Sequence, residues 1–212
     1  MTGLEKVNRT LEYMDTLFPE PRCELNYQKD YELLMAVMLS AQTTDKRVNM
    51  VTEILFKKYP SLDDLQKANL KDLENIIRPI GTYTKKAANL QKIAASLLEN
   101  AEGKVPNNRS YLETLPGVGR KTCNVVLSNL YNEPCIAVDT HVARVSKRLG
   151  FAKETDDVLV IEQKLTKMFP KQSLVRLHHQ LVLFGRYYCK AQNPSCTECP
   201  LKDMCKVGKK FI

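Results

Sequence analysis

Four of the seven cysteines in this 212-residue chain, Cys189, Cys196, Cys199 and Cys205, stand near the C-terminal end with the spacing C-x6-C-x2-C-x5-C. Four thiolates on a short loop can wrap one compact inorganic centre, and the C-x2-C step lets two neighbours ligate without straining the backbone. Zinc is the rival, because four-cysteine zinc sites also use C-x2-C. Zinc ribbons usually repeat that pair after a longer spacer, however, whereas here one pair is flanked by single cysteines. The asymmetry favours an iron–sulfur cluster over zinc. Cys23, Cys123 and Cys135 are scattered and form no such pattern. Lys190, Lys202, Lys206, Lys209 and Lys210 surround the quartet, so an ordered loop there presents positive charge to a phosphate backbone.

The second chemically informative stretch is Leu115-Pro116-Gly117-Val118-Gly119-Arg120-Lys121-Thr122. Two glycines in a tight turn between helices permit positive φ and let a foreign backbone approach closely. Main-chain amides at the start of the next helix can then hold a phosphate. A lone Gly-x-Gly is also what an ordinary helix connector looks like, but the leading Leu-Pro and trailing Arg-Lys point to a helix–hairpin–helix grip on DNA. In the following helix Cys123, Val126, Leu127 and Leu130 form the apolar stripe, and Lys121 lies roughly opposite it. Read alone, Lys121 is a solvated surface lysine. Its place in the first helical turn beside Arg120 allows a second reading, as an amine that attacks a carbon and forms a Schiff base. Asp139, in Val138-Asp139-Thr140-His141, is equally open. It could be a simple N-cap, or a carboxylate that handles protons or balances developing positive charge. His141, His178 and His179 have no metal-ligand pattern and are read as structural or DNA-facing.

Helical periodicity dominates the elements that must hold these groups, and no alternating strand stands out. Leu4, Val7, Leu11 and Met14 share one face of a helix ending at Phe18-Pro19. Tyr31 to Ala41 reads as a buried helix, Lys46 to Tyr59 as an amphipathic one, and Tyr83 to Asn100 as a long one. Ser61 and Asn69 are candidate helix caps. Further helices are expected at about 109–113, 118–130, 140–149, 156–168 and 174–187. The fold class is therefore all-α. The net charge of +8 suits a polyanionic partner, although extra lysine for solubility produces the same number. The polar N-terminus lacks the apolar core of a secretory signal, and the longest apolar stretch, Leu33 to Ala41, is too short to span a bilayer. A cytoplasmic protein with no membrane partner is expected, nucleoid-associated if bacterial, or nuclear if the cell has a nucleus.

Together these motifs resemble the endonuclease III family, over essentially the whole chain from Leu39-Ser40-Ala41-Gln42-Thr43-Thr44-Asp45 to the cysteine loop. The resemblance implies a two-lobed helix–hairpin–helix glycosylase. A six-helix lobe would span 23–133, and a second would combine 1–22 with 134–212 and the cluster loop 189–205. It implies a 4Fe-4S cluster on Cys189, Cys196, Cys199 and Cys205. It also implies a monomer acting on double-stranded DNA with a damaged base or abasic site, where the target nucleotide leaves the stack. Lys121 would attack C1′ and expel an oxidised pyrimidine, Asp139 would assist, and β-elimination would nick the strand. Gln42 matches a residue that fills the gap left by the flipped base. Gly117, Val118, Gly119, Arg120 and His141 would contact DNA, with Thr82. The family commonly has a leucine wedge at the position of Thr82, and a shorter, half-polar residue there implies altered lesion preference or flipping rate. Adenine-specific and mismatch-thymine relatives differ at the position of Lys121, which separates this chain from them. The rivals are a glycosylase that releases a base without cutting the strand, a noncatalytic DNA-binding iron–sulfur protein, and a soluble electron carrier.

Overall fold

Most of the helices begin where a side chain accepts an orphan amide. In the computed structural model, which describes residues 2–211, the first helix is α1 (Gly3–Leu17). Thr2 caps it in a reciprocal capping box with Glu5. Ser61 and Asp64 form the same device at α4 (Leu62–Lys67), and Asn69 accepts two amides at the start of α5 (Leu70–Ile77). Asp157 caps α10 (Val158–Met168) through the amide of Val160. Met1 and Ile212, counted in the expected second lobe, lie outside the described residues. Among the described residues there is no strand.

The chain divides into two compact units, Cys23–Tyr131 and Met1–Arg22 with Asn132–Ile212. The first holds α2 (Asp30–Leu39), α3 (Asp45–Lys58), α4, α5, α6 (Tyr83–Asn100), α7 (Arg109–Leu112) and α8 (Arg120–Tyr131). Asn108 caps the single turn of α7, at the place where the sequence puts a short helix. Helix α2 packs against α3, α6 and α8 and is buried on every side, as the apolar run from Leu33 to Leu39 requires. Its one buried acid, Glu32, accepts the amides of Gln28 and Lys29 at 2.7 and 3.2 Å, so burial costs no hydrogen bond.

The second unit holds α1, α9 (Thr140–Leu149), α10 and α11 (Leu174–Tyr187). Val142, Val145, Leu149, Ile161, Leu165, Leu177 and Leu181 form the centre of its core. Helices α9 and α11 approach closely at Gly185, where a β-carbon would stand 2.7 Å from Cβ of His141. Buried Gln180 donates to Asp15 Oδ1 (2.8 Å) and Phe18 O (3.2 Å), tying α11 to the end of α1. No helix among the described residues is long and apolar enough to cross a membrane.

Candidate functional site

The hairpin sits between α7 and α8, and its two glycines have different reasons to be there. Gly117 has φ +82°, and a β-carbon on it would meet Asn89 Nδ2 at 2.7 Å and Met38 Cγ at 3.1 Å. Only glycine fits, on backbone and packing grounds together. Gly119, also expected to need a positive φ, has none, and nothing lies within 4 Å of a β-carbon built there. Its side faces open space, so glycine here keeps the surface clear for whatever docks against it. Val118 is buried, and its amide donates to Leu115 O at 3.0 Å. Its side chain shapes the turn from the inside. Arg120 and Lys121 open α8, both exposed. Cys123, Val126 and Leu127 are buried on the other face, so Lys121 projects to solvent from the first turn.

Gln42 and Thr82 are exposed, and both have left-handed backbones, φ 59° and 56°. For Thr82 this is a true outlier, because a β-branched side chain clashes there. Strain of this kind persists where surrounding structure imposes it, and it concentrates at functional sites. Thr82 immediately precedes α6 and leaves its first turn without a side-chain cap.

In the second unit Asp139 does cap α9: its Oδ1 accepts the Val142 amide at 2.8 Å. Capping consumes one oxygen and fixes the carboxylate's direction, leaving the other oxygen for a further interaction. His141, half-buried, has Nδ1 3.1 Å from Arg144 Nη2. That arginine also donates to Gly185 O (2.6 Å) and Cys189 O (3.0 Å), so α9 links the Asp139 segment to the cysteine loop.

The loop itself is built of tight turns closed by main-chain bonds from Cys199 N to Cys196 O, Lys202 N to Cys199 O and Cys205 N to Lys202 O. Arg148 donates to Cys189 Sγ (3.3 Å), Lys190 O (2.7 Å) and Ala191 O (3.2 Å). Arg9 holds Asp203 through both carboxylate oxygens and also reaches Pro200 O. These three arginines belong to no motif named from the sequence; Arg144 and Arg148 stand one helical turn apart on α9, with α10 and α11 between them and the quartet. None of the four thiols is in a disulfide. Among the described residues no three His, Cys, Asp or Glu side chains are gathered tightly enough for a single ion. Instead the four cysteines line one cavity of about 200 Å³ with Tyr13, Phe184 and Tyr188. That is several times the ~30 Å³ share of one water molecule, and it suits a polyatomic centre better than one ion. Burial, reinforced by charge on the neighbouring cysteines, pushes the Cys196 and Cys199 thiols up. A cationic centre would relieve that resistance to ionisation by binding the sulfurs as thiolates, so the donor set fits an iron–sulfur cluster.

Two family models match the chain: the HhH-GPD superfamily base excision DNA repair protein over residues 35–171, and the iron–sulfur binding domain of endonuclease III over 189–205. The chain is 47% identical over 210 residues to an endonuclease III of Bacillus subtilis, covering 99% of this chain and 96% of that one. It is 43% identical over 192 residues to an endonuclease III of Escherichia coli K12, covering 91% and 90%. Its structure is similar, with a TM-score of 0.94, 49% identity and 99% coverage of both chains, to a trapped covalent intermediate of endonuclease III with DNA. A thermostable thymine-DNA glycosylase, 22% identical with a TM-score of 0.86 and coverage of 97% and 98%, shares the fold.

Proposed function

Because the chain belongs to the endonuclease III family, it is a base-excision DNA glycosylase and abasic-site lyase with a 4Fe-4S cluster, and we propose Lys121 as its nucleophile and Asp139 as its assisting carboxylate. One observation carries the assignment of Lys121: an exposed amine in the first turn of α8, directly after a hairpin whose outer side is open at Gly119. The hairpin holds the phosphate backbone through amides at the start of α8, without reading bases. With an oxidised pyrimidine nucleotide turned out of the stack, Lys121 Nζ bonds to C1′ and the C1′–N bond breaks, expelling the base. The sugar ring opens as the imine forms. Loss of a proton from C2′ then breaks the C3′–O bond and nicks the strand. The oxygen of Asp139 not used in capping takes the proton from the attacking amine or balances positive charge at the sugar.

Gln42 occupies the space left in the stack, and Thr82, Arg120 and His141 complete the DNA contacts. Cys189, Cys196, Cys199 and Cys205 hold the cluster, which supplies iron–thiolate cross-links that keep the basic loop folded. We take the two units as the enzyme's lobes, with Lys121 on one and Asp139 on the other, and place its action on DNA in the cytoplasm as a monomer. The test is borohydride trapping on abasic and thymine-glycol duplexes. Lys121→Gln should abolish the adduct and the nick while leaving duplex binding largely intact. An adduct that survives in this variant overturns the assignment. Base release by the unaltered protein with no nick and no adduct would instead favour the monofunctional reading.

A further inference from the structure

Lys86 is a charged side chain with no part in the chemistry above, yet it is 4% exposed. It lies on the buried face of α6, four, seven and eleven residues before Leu90, Ile93 and Leu97. Burial depresses its ammonium below the ordinary lysine range, and no carboxylate offsets the cost. Its partners are two main-chain oxygens: Nζ donates to Leu39 O and to Ala41 O, each at 2.8 Å. Leu39 is the last residue of α2, where helix carbonyls lack intrahelical donors and the dipole favours a cation.

The second oxygen is the more telling one. Residues 40–43 form a turn closed by Thr43 N to Ser40 O at 3.0 Å. Its third residue is Gln42, at φ 59°. In such a turn the central peptide can flip between two orientations, and the flip decides whether the third residue has positive or negative φ. The oxygen of that central peptide is Ala41 O, the atom Lys86 holds. Glutamine gains nothing intrinsically from a left-handed backbone, so an outside contact must hold the peptide in place. Helix α6 starts right after Thr82, which is also left-handed and exposed, and Lys86 N donates to Thr82 O at 3.1 Å.

We infer that Lys86 is a positioning residue: its buried ammonium locks the 41–42 peptide and so aims Gln42 from a turn tied to the helix that begins at Thr82. This rests on the proposed role of Gln42 in filling the emptied stack. A buried ammonium with no carboxylate beside it is a costly way to stabilise a core, since a leucine would fill the same stripe position. What a leucine could not do is hold two carbonyls in fixed orientation.

The test compares borohydride-trapping rates on an abasic site in duplex and in single-stranded DNA, for the cluster-loaded full chain. Only the duplex has a stack to fill, so the duplex-to-single-strand ratio reports Gln42 placement, whereas general loss of structure lowers both rates together. Lys86→Met should reduce that ratio by about tenfold or more, as expected for a misplaced group near the chemistry. Gln42→Ala should reduce it similarly, and the double variant should be no worse than Gln42→Ala alone. Lys86→Gln, which keeps two amide protons but not the reach, serves if Lys86→Met does not fold. A normal ratio in the Lys86 variant beside a reduced one in Gln42→Ala overturns the clamp alone. A normal ratio in Gln42→Ala overturns the gap-filling reading and the clamp with it. Additive losses in the double variant also overturn the clamp.

Discussion

Replacing each hairpin glycine with alanine separates what the turn needs to fold from what it needs to bind. At Gly117 the added methyl group is penalised twice. The left-handed backbone costs an L-residue about 1–2 kcal/mol. The 2.7 Å approach to Asn89 Nδ2 and 3.1 Å to Met38 Cγ then forces neighbours in a packed interior to shift, at about 1–3 kcal/mol. Asn89 is itself mostly buried, so it has little room to withdraw. Together the loss is about 2–5 kcal/mol, or about 4–20 °C in thermal midpoint for a chain of this length. At Gly119 neither penalty applies, since φ is not positive and nothing lies within 4 Å of the new carbon. Gly119→Ala should melt at the original temperature or slightly above it, because alanine restricts the unfolded chain. Its methyl group nevertheless stands where a phosphate backbone must come close. Losing one hydrogen bond to a charged group costs about 1.5–3 kcal/mol, so undamaged-duplex affinity should fall about tenfold or more. Circular-dichroism melts and fluorescence anisotropy at one fixed low salt read the two quantities separately, since phosphate contacts weaken with ionic strength. Equal melting losses in the two variants, or duplex affinity undiminished in Gly119→Ala, would refute the reasoning.

Asp139→Asn should slow base release by about 100-fold while leaving thermal stability nearly unchanged, since asparagine caps as well as aspartate; Asp139→Ala should lose activity and about 1 kcal/mol of stability. A similar melting loss in both variants would argue against separate capping and chemical roles. The Asp72 and Asp156 carboxyls are held below their ordinary value of 3.8, Asp72 by Lys58 and the Tyr59 hydroxyl, Asp156 by Lys164 and the Lys153 amide. Because folding depresses them, their contribution is complete above pH 3.8 and is lost as pH falls through the lower folded values. Denaturant midpoints should therefore drop below about pH 4, and less steeply in Asp156→Asn. Cys199→Ser should bind less iron, lose the broad iron–thiolate absorbance and yield less soluble protein, as metal analysis beside a spectrum will show. Full iron content in that variant would remove Cys199 from the ligand set.

Much of this protein was legible residue by residue. Helices α6, α9 and α11 run where their periodicity and punctuation place them, from Tyr83 to Asn100, Thr140 to Leu149 and Leu174 to Tyr187. These signals are local: a cap, a stripe at helical spacing and a turn residue act within one or two turns of the chain. The cysteine quartet was equally plain, because ligand identity and spacing belong to the sequence. So was the outward direction of Lys121, which follows from counting round α8 against its apolar stripe.

Tertiary structure decided what depends on neighbours distant in the chain. Gly117 and Gly119 look alike in sequence, and only the packing of Met38 and Asn89 beneath one of them tells them apart. Val118 stands between them with its apolar side chain buried, a placement that the packing around the turn decides. Asp139 could cap or catalyse on sequence grounds; in the structure its Oδ1 accepts the Val142 amide, so it caps α9 with one of its two oxygens. Lys86 sat in plain view on the apolar stripe of α6. Reading it as buried required knowing that the end of α2, more than forty residues earlier, would bring two carbonyls to its ammonium. Helix formation is settled by the residues within a turn or two, whereas the burial of a charge is settled by whatever the folded chain sets against it.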